Sequence, residues 1–276
     1  MTWDGQIQRP IRECSRNPLQ ISLDYFFPIN YNRSVSANEV VEKKSVLLVI
    51  TAASFLMPFM GSSINIALPS IGKEFGMSAV SLGWVATAFL LAGAIFQVPS
   101  GRIGDIYGRK KVFLLGVSLH TCSCFLAGFS TSAAMLICSR VLQGIAASMA
   151  FGTGVAILMS VFSPEERGKV LGINVTSVYT GLSTGPFLGG ILTQSLGWRS
   201  IFLVTAPVWF LILLLGFRRL KGEWAEARGE RFDFVGSVIY SVTLVTIIYG
   251  LSQLPSILGG GLILVGFLGL WLLVKY

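Results

Sequence analysis

A single arginine, Arg140, interrupts the apolar run 133–162. A guanidinium in hydrocarbon is costly unless paired or hydrated, so this residue either lines a polar cavity or runs its long stem out to the membrane surface. That surface is roughly 10 Å away at 1.5 Å per helical residue. Against this, Gly144, Ser148, Gly152 and Ala156 follow Arg140 at steps of four, a stripe of small residues suited to close helix contact or a cavity wall. Arg140 and nearby Gln143 are candidate pathway residues. So are Asn65, which shares a helical face with Ser54, Pro58 and Ser62, and Gln97, which shares one with Gly93. Hydrogen bonding between helices is the plainer use of either amide. Chemistry on a substrate is not expected, because no nucleophile–base pair is present. The only histidine is His120, and Cys122 with Cys124 lacks the second Cys/His pair of a metal site. These cysteines and Cys138 read as small packing residues. No metal, cofactor or nucleotide site is expected, since Gly152-Thr153-Gly154 and Gly259-Gly260-Gly261 lie in apolar runs rather than after a strand.

Helices in lipid must position these side chains. Of the 276 residues, 53% are hydrophobic and only 12% are charged, with a mean hydropathy of +0.71. A soluble domain has roughly 25% charged residues. Apolar runs near 45–68, 80–100, 112–129, 133–162, 168–194, 200–217, 232–251 and 257–274 are each about long enough for the ~30 Å hydrocarbon core. They predict eight transmembrane helices after a polar tail, 1–44, which carries Cys14. Ser163-Pro164-Glu165-Glu166 has the form of a capping box that starts the fifth helix. Arg102, Arg109, Lys110 and Lys111, then Arg167 and Lys169, then Arg218, Arg219, Lys221, Arg228 and Arg231 fall in alternate connections, whereas the opposite ones hold only Lys73 and Arg199. That asymmetry puts both termini in the cytoplasm of a plasma-membrane protein. It also makes the net charge of +8 a topology signal and not a nucleic-acid patch. The sequon Asn32-Arg33-Ser34 then stays unmodified. A shift of 89 residues aligns Gly101 with Gly190, Gly108 with Gly197, Lys110 with Arg199, Phe113 with Phe202 and Leu114 with Leu203. An offset of three spans with reversed orientation has the form of an inverted-topology repeat.

Motifs add to this pattern. Gly101-Arg102-Ile103-Gly104-Asp105-Ile106-Tyr107-Gly108-Arg109-Lys110-Lys111 reads as a tight loop between the second and third spans, with one acid among four bases. Here the sequence resembles the major facilitator superfamily, whose loop at this place reads G-x-L-a-D-r-x-G-r-k. Gly101, Asp105, Gly108, Arg109 and Lys110 fall on it, and the resemblance implies a conformational latch between two transporter halves. Arg140-Val141-Leu142-Gln143-Gly144 is similar to the family's R-x-x-q-G. In the fifth span, Gly181, Gly185, Pro186, Gly189 and Gly190 match the antiporter motif g-x-x-x-G-P-x-x-G-G of exporting branches. The first span ends Asn65-Ile66-Ala67-Leu68-Pro69, similar to the fourteen-span drug–proton antiporters, but Met60 stands where they carry an acid. Asp233-Phe234-Val235-Gly236 resembles the start of the extra helix pair in that branch.

The expected fold is therefore an all-α membrane protein. A six-helix bundle (45–217) of two inverted three-helix repeats is followed by a charged cytoplasmic loop (218–231) and two further spans (232–276). The resemblance implies a secondary transporter, a multidrug-type exporter coupled to protons, present as its amino-terminal part because the chain stops as the eighth span ends. A rival reading stays open: a non-transporting truncated membrane protein, or an assembly partner of a separate second half. Expected partners are the lipid bilayer, an unnamed small molecule, and a second copy or a missing second half.

Overall fold

Caps and glycine breaks divide the chain into helices. The computed structural model describes residues 37–275; Cys14, the sequon and the first basic residues of the expected tail lie outside them. The helices are α1 (Ala37–Phe75), α2 (Ala79–Tyr107), α3 (Arg109–Gly128), α4 (Ala133–Val161), α5 (Pro164–Leu196), α6 (Arg199–Arg219), α7 (Phe234–Ser252) and α8 (Ile257–Lys275), with no strand among the described residues. Ser78, Ser132 and Asp233 cap α2, α4 and α7 by accepting from Ser81 N, Met135 N and Gly236 N, each satisfying an orphan donor of a first turn. At α5 the Glu166 carboxylate reaches back to the Ser163 amide at 3.2 Å while the Ser163 side chain faces the Glu166 amide, the expected capping box.

Three expectations change. First, the polar tail does not run to Lys44 as an irregular segment, because α1 already starts at Ala37. Nothing between Asn38 and Lys44 breaks a helix, and Glu and Lys favour one. Second, Gly101 to Tyr107 is not loop: α2 continues to Tyr107, and only Gly108, with φ of +117°, separates it from α3. Gly104 serves packing instead: a Cβ on it would lie 2.7 Å from the Thr153 methyl of α4. Third, among the described residues seven helices rather than eight are long and apolar enough to cross a membrane, and α5 is the exception. Thr176, Ser177, Thr180, Ser183 and Thr184 dilute its apolar content. Of the cysteines, Cys124 is buried, whereas Cys122 and Cys138 lie on exposed faces and pack no core.

The two sets of connections segregate to opposite ends. At one, Arg199 pairs with Glu74 at 2.7 Å and donates to the Ser130 carbonyl at 2.8 Å. At the other, Lys43 meets Glu166 at 2.9 Å, and the α2–α3 junction meets the end of α4 and the segment after α6. Between the ends, α2 packs on α4, α3 on α4 and α6, and α7 on α8 and α2. Trp209 of α6 donates to the Met60 sulfur of α1 at 3.3 Å, and Ser63 of α1 to the Gly185 carbonyl of α5 at 2.9 Å.

Lipid supplies no hydrophobic force between helices, so contact depends on how closely backbones approach. A Cβ on Gly181 would strike the Phe55 carbonyl of α1, and one on Gly189 would lie 2.7 Å from Ser63 Cα. Gly190, one residue on, would meet only a methyl of Ile66 at 3.8 Å. Gly181→Ala should therefore destabilise the bundle by about 1–3 kcal/mol, the range of core overpacking, and Gly190→Ala should leave it unchanged. Thermal unfolding of the detergent-purified variants checks this; equal melting temperatures would refute the close-contact account.

Candidate transport cavity and latch

Four helices leave a cavity of about 480 Å³ between them, a size that suits a drug-like molecule. Its lining runs from Met57 to Asn65 on α1, Ala86 to Gln97 on α2, Arg140 to Phe151 on α4, and includes Val178 and Leu182 of α5. On α2, α4 and α5 the set straddles the middle of the helix, so the cavity lies well away from either end. Asn65, Gln97 and Arg140 come together here from three helices. Gln143 does not line the space: it is fully buried, accepts from Arg140 Nη1 at 2.6 Å and donates to Cys124 Sγ at 3.6 Å. Its place is to hold the guanidinium.

Arg140 itself is only 2% exposed, so its stem does not run out to the surface. Its Nε donates to the Val85 carbonyl at 2.9 Å, and its guanidinium lies 4.3 Å from the centre of the Phe89 ring, a cation–π contact. Ser62 and Pro58 line the cavity with Asn65, whereas Ser54 is buried away from it. Met60, at the position of the resembled family's acid, also turns away. It is 2% exposed and its sulfur accepts from Trp209 and, at 3.5 Å, from Thr205.

The antiporter-motif glycines split in use. Gly181, Gly185 and Gly189 are buried against α1, while Gly190 is only half-buried. Pro186 lies inside a continuous α5.

At one end of the bundle, Asp105, Gly108, Arg109 and Lys110 gather under the segment 221–231. Asp105 accepts from Arg109 at 2.7 Å; Arg109 also donates to Ser160 of α4 at 2.7 Å and to Glu226 at 2.6 Å. The Lys110 amide donates to Glu223 at 2.9 Å, and a side chain on Gly108 would collide with that same carboxyl. Backbone bonds join Arg109 N to the Trp224 carbonyl at 2.8 Å and Ala227 N to the Asp105 carbonyl at 3.0 Å. Arg102 pairs with Glu230. Gly101 has open space around it and takes no part. The three glutamates went unrecognised in the sequence. Their spacing of three and four among Lys221, Arg228 and Arg231 was the available signal, masked by the positive balance of that loop.

Residues 50–275 match the family model described as Major Facilitator Superfamily. The chain belongs to that superfamily. Among superfamily relatives, the puromycin resistance protein of Streptomyces alboniger is 34% identical over 83% of this chain and 46% of its own length. The cephamycin export protein of Amycolatopsis lactamdurans is 34% identical over 76% of this chain and 43% of its own, and the riboflavin transporter of Clostridioides difficile 30% over 77% and 46%. The chain thus spans less than half the length of these relatives. A solved peptide transporter shares the fold, with a TM-score of 0.63 at 13% identity over 77% of this chain and 52% of that one.

The Arg109 guanidinium holds the Glu226 carboxyl below the usual carboxylate range. A depressed pKa means the contact is fully present above the unfolded-state value and lost as pH falls through the lowered folded one. Acidification through that window should release segment 221–231, and Glu226→Gln should release it at neutral pH. Hydrogen exchange at the amides of Arg109 and Ala227, corrected for intrinsic pH dependence, reads both effects; full protection in the variant would refute the assignment.

Proposed function

We propose that this chain forms one wall of a secondary exporter for small amphipathic molecules, and that it works by rocking against a second six-helix bundle around the mid-helix cavity. One observation carries the reading. The cavity that gathers Asn65, Gln97 and Arg140 from three helices lies well away from the ends of those helices, with Arg140 in its wall. Export, rather than uptake, is supported by relatives named for puromycin resistance and cephamycin export. Proton coupling is carried over from the resembled branch, with Met60 in place of its acid.

A second bundle is supported by α5. The exposed side of this helix carries Thr176, Tyr179, Thr180 and Ser183, and hydroxyl-rich surface suits protein or water better than lipid tails. The six-span core as two inverted repeats is supported by its closest contacts. The 89-residue shift relates Gly144 to Phe55 and Gly181 to Ala92, and both pairs touch: a Cβ on Gly144 would lie 2.8 Å from Ala92 Cβ, and one on Gly181 would strike Phe55. The pairing of α2 with α4 is thereby the counterpart of α5 with α1. We assign the latch end to the cytoplasm because it holds Arg102, Arg109, Lys110 and Lys111. The two remaining helices, α7 and α8, dock on α2 through Tyr240, whose hydroxyl donates to the Ala94 carbonyl at 3.2 Å.

Fusing the full chain to the unmatched remainder of the puromycin resistance protein of Streptomyces alboniger should restore drug export to an efflux-deficient host. Arg140→Ala should lower that export about tenfold or more while leaving membrane insertion intact, as removal of a pathway charge would. The unfused chain in proteoliposomes should give no saturable, gradient-driven export. Normal export by the Ala variant, or export by the chain alone as a monomer, would overturn the reading.

A further inference from the structure

The charge in the cavity has no counter-charge among the described residues. No Asp or Glu lines the space. Acids with described side chains stand at helix ends, at Glu74, Asp105, Glu165 and Glu166, or between α6 and α7, at Glu223, Glu226, Glu230 and Asp233. Arg140 is held by neutral groups alone: the Val85 carbonyl, the Gln143 amide oxygen and the Phe89 ring. Its other terminal nitrogen, Nη2, has no hydrogen-bond partner among the described residues. Nor is it among the partnerless side-chain atoms sealed inside protein, so it opens to the cavity that Arg140 lines. A buried cation with neutral partners leaves a desolvation cost that an anion can offset.

The rest of the lining states what that anion must look like. Met57, Leu90, Phe151, Val178 and Leu182 make most of the wall apolar, and about 480 Å³ is far more than an inorganic ion fills. A cation would meet Arg140 with no acid to offset the repulsion. We propose that the cavity selects amphipathic organic anions, with a carboxylate or similar group on Arg140 Nη2 and an apolar body against α2, α4 and α5. This deepens the exporter reading above and rests on it.

A carboxylate on Arg140 has two sources: a small molecule, or a side chain of a second bundle. The probes are two fluorescent molecules with one aromatic body, ending in a carboxylate or in a trimethylammonium group. They are titrated into the full chain, and into its fusion with the second half above, in nanodiscs of zwitterionic lipid. The carboxylate should bind saturably and about tenfold or more tighter than the cation in both proteins, the scale of one charge-assisted contact. Arg140→Gln should erase the preference. Asn65→Asp, which adds an acid to the same lining without removing the guanidinium, should weaken the anion and strengthen the cation; it serves if the Arg140 variant fails to fold. Equal affinities, a preference for the cation, no saturable binding, or a preference that survives Arg140→Gln would overturn the proposal. So would anion binding by the chain alone that vanishes in the fusion, since a carboxylate of the second bundle then occupies Nη2. A fusion that exports the cation overturns this selectivity and leaves the exporter reading standing; one that binds the anion and exports nothing does the reverse.

Discussion

Backbone approach is the constraint on which the bundle rests. In hydrocarbon, apolar side chains gain nothing by leaving lipid for one another, so helices associate where small residues let backbones touch. Gly144 seats α4 against Ala92 and Gly93 of α2; Gly181, Gly185 and Gly189 seat α5 against α1; Gly116 brings α3 to within 2.8 Å of the Ala150 amide, measured from a would-be Cβ. Large residues then fill the gaps around these seats. Trp209, Phe113, Phe202 and Met60 are fully or almost fully buried.

Most buried hydroxyls in this interior are answered locally, whereas both ring nitrogens of His120 have no hydrogen-bond partner among the described residues. Hydroxyls of Ser62, Thr121, Thr153 and Thr205 bond carbonyls of their own helices, a common way to hide a hydroxyl in an apolar setting. Longer side chains cannot do this and must cross between helices. Arg140 reaches α2 and Gln143 reaches α3 through Cys124, and the short Ser148, which also bonds the Ile145 carbonyl of its own helix, meets Ser100 at 3.1 Å. Those crossings converge on the cavity wall.

The membrane class, the bounds of most helices and the gathering of Asn65, Gln97 and Arg140 were legible in the sequence, because hydropathy and four-residue steps report directly on helices in lipid. The α2–α3 junction was not. Gly101, Gly104 and Gly108 look alike in a list of letters, yet only Gly108 adopts a left-handed backbone, while Gly104 is small to admit Thr153. Local composition cannot separate a glycine that turns from one that packs. Gln143 was misplaced for a related reason: it is three residues from Arg140, on the same face, but buried one layer behind the lining. The acids over Arg109 were masked by the basic residues among them, and their partners are more than a hundred residues away.

These packing relations divide the bundle mechanically. Close backbone contact welds α2 to α4, with Gly144 on Ala92, Ser148 on Ser100 and Thr153 on Gly104 along one line. The same device welds α1 to α5. The cavity is the seam between the two pairs, bounded by Met57 and Leu182 on one side and by Phe89 and Arg140 on the other. Packed pairs of this kind move as units because their interdigitated contacts do not deform continuously. On the proposed function, adjusting the seam to a bound molecule means sliding α1 and α5 past α2 and α4. The Arg109 cluster touches the second side of that seam, at the ends of α2 and α4, through α3 and the segment after α6. Asp105 ends α2, Ser160 ends α4, and Arg109 joins them to Glu226. On that proposal, ligand fit and latch engagement are built on different joints of one bundle, with α2 and α4 the packed pair they share.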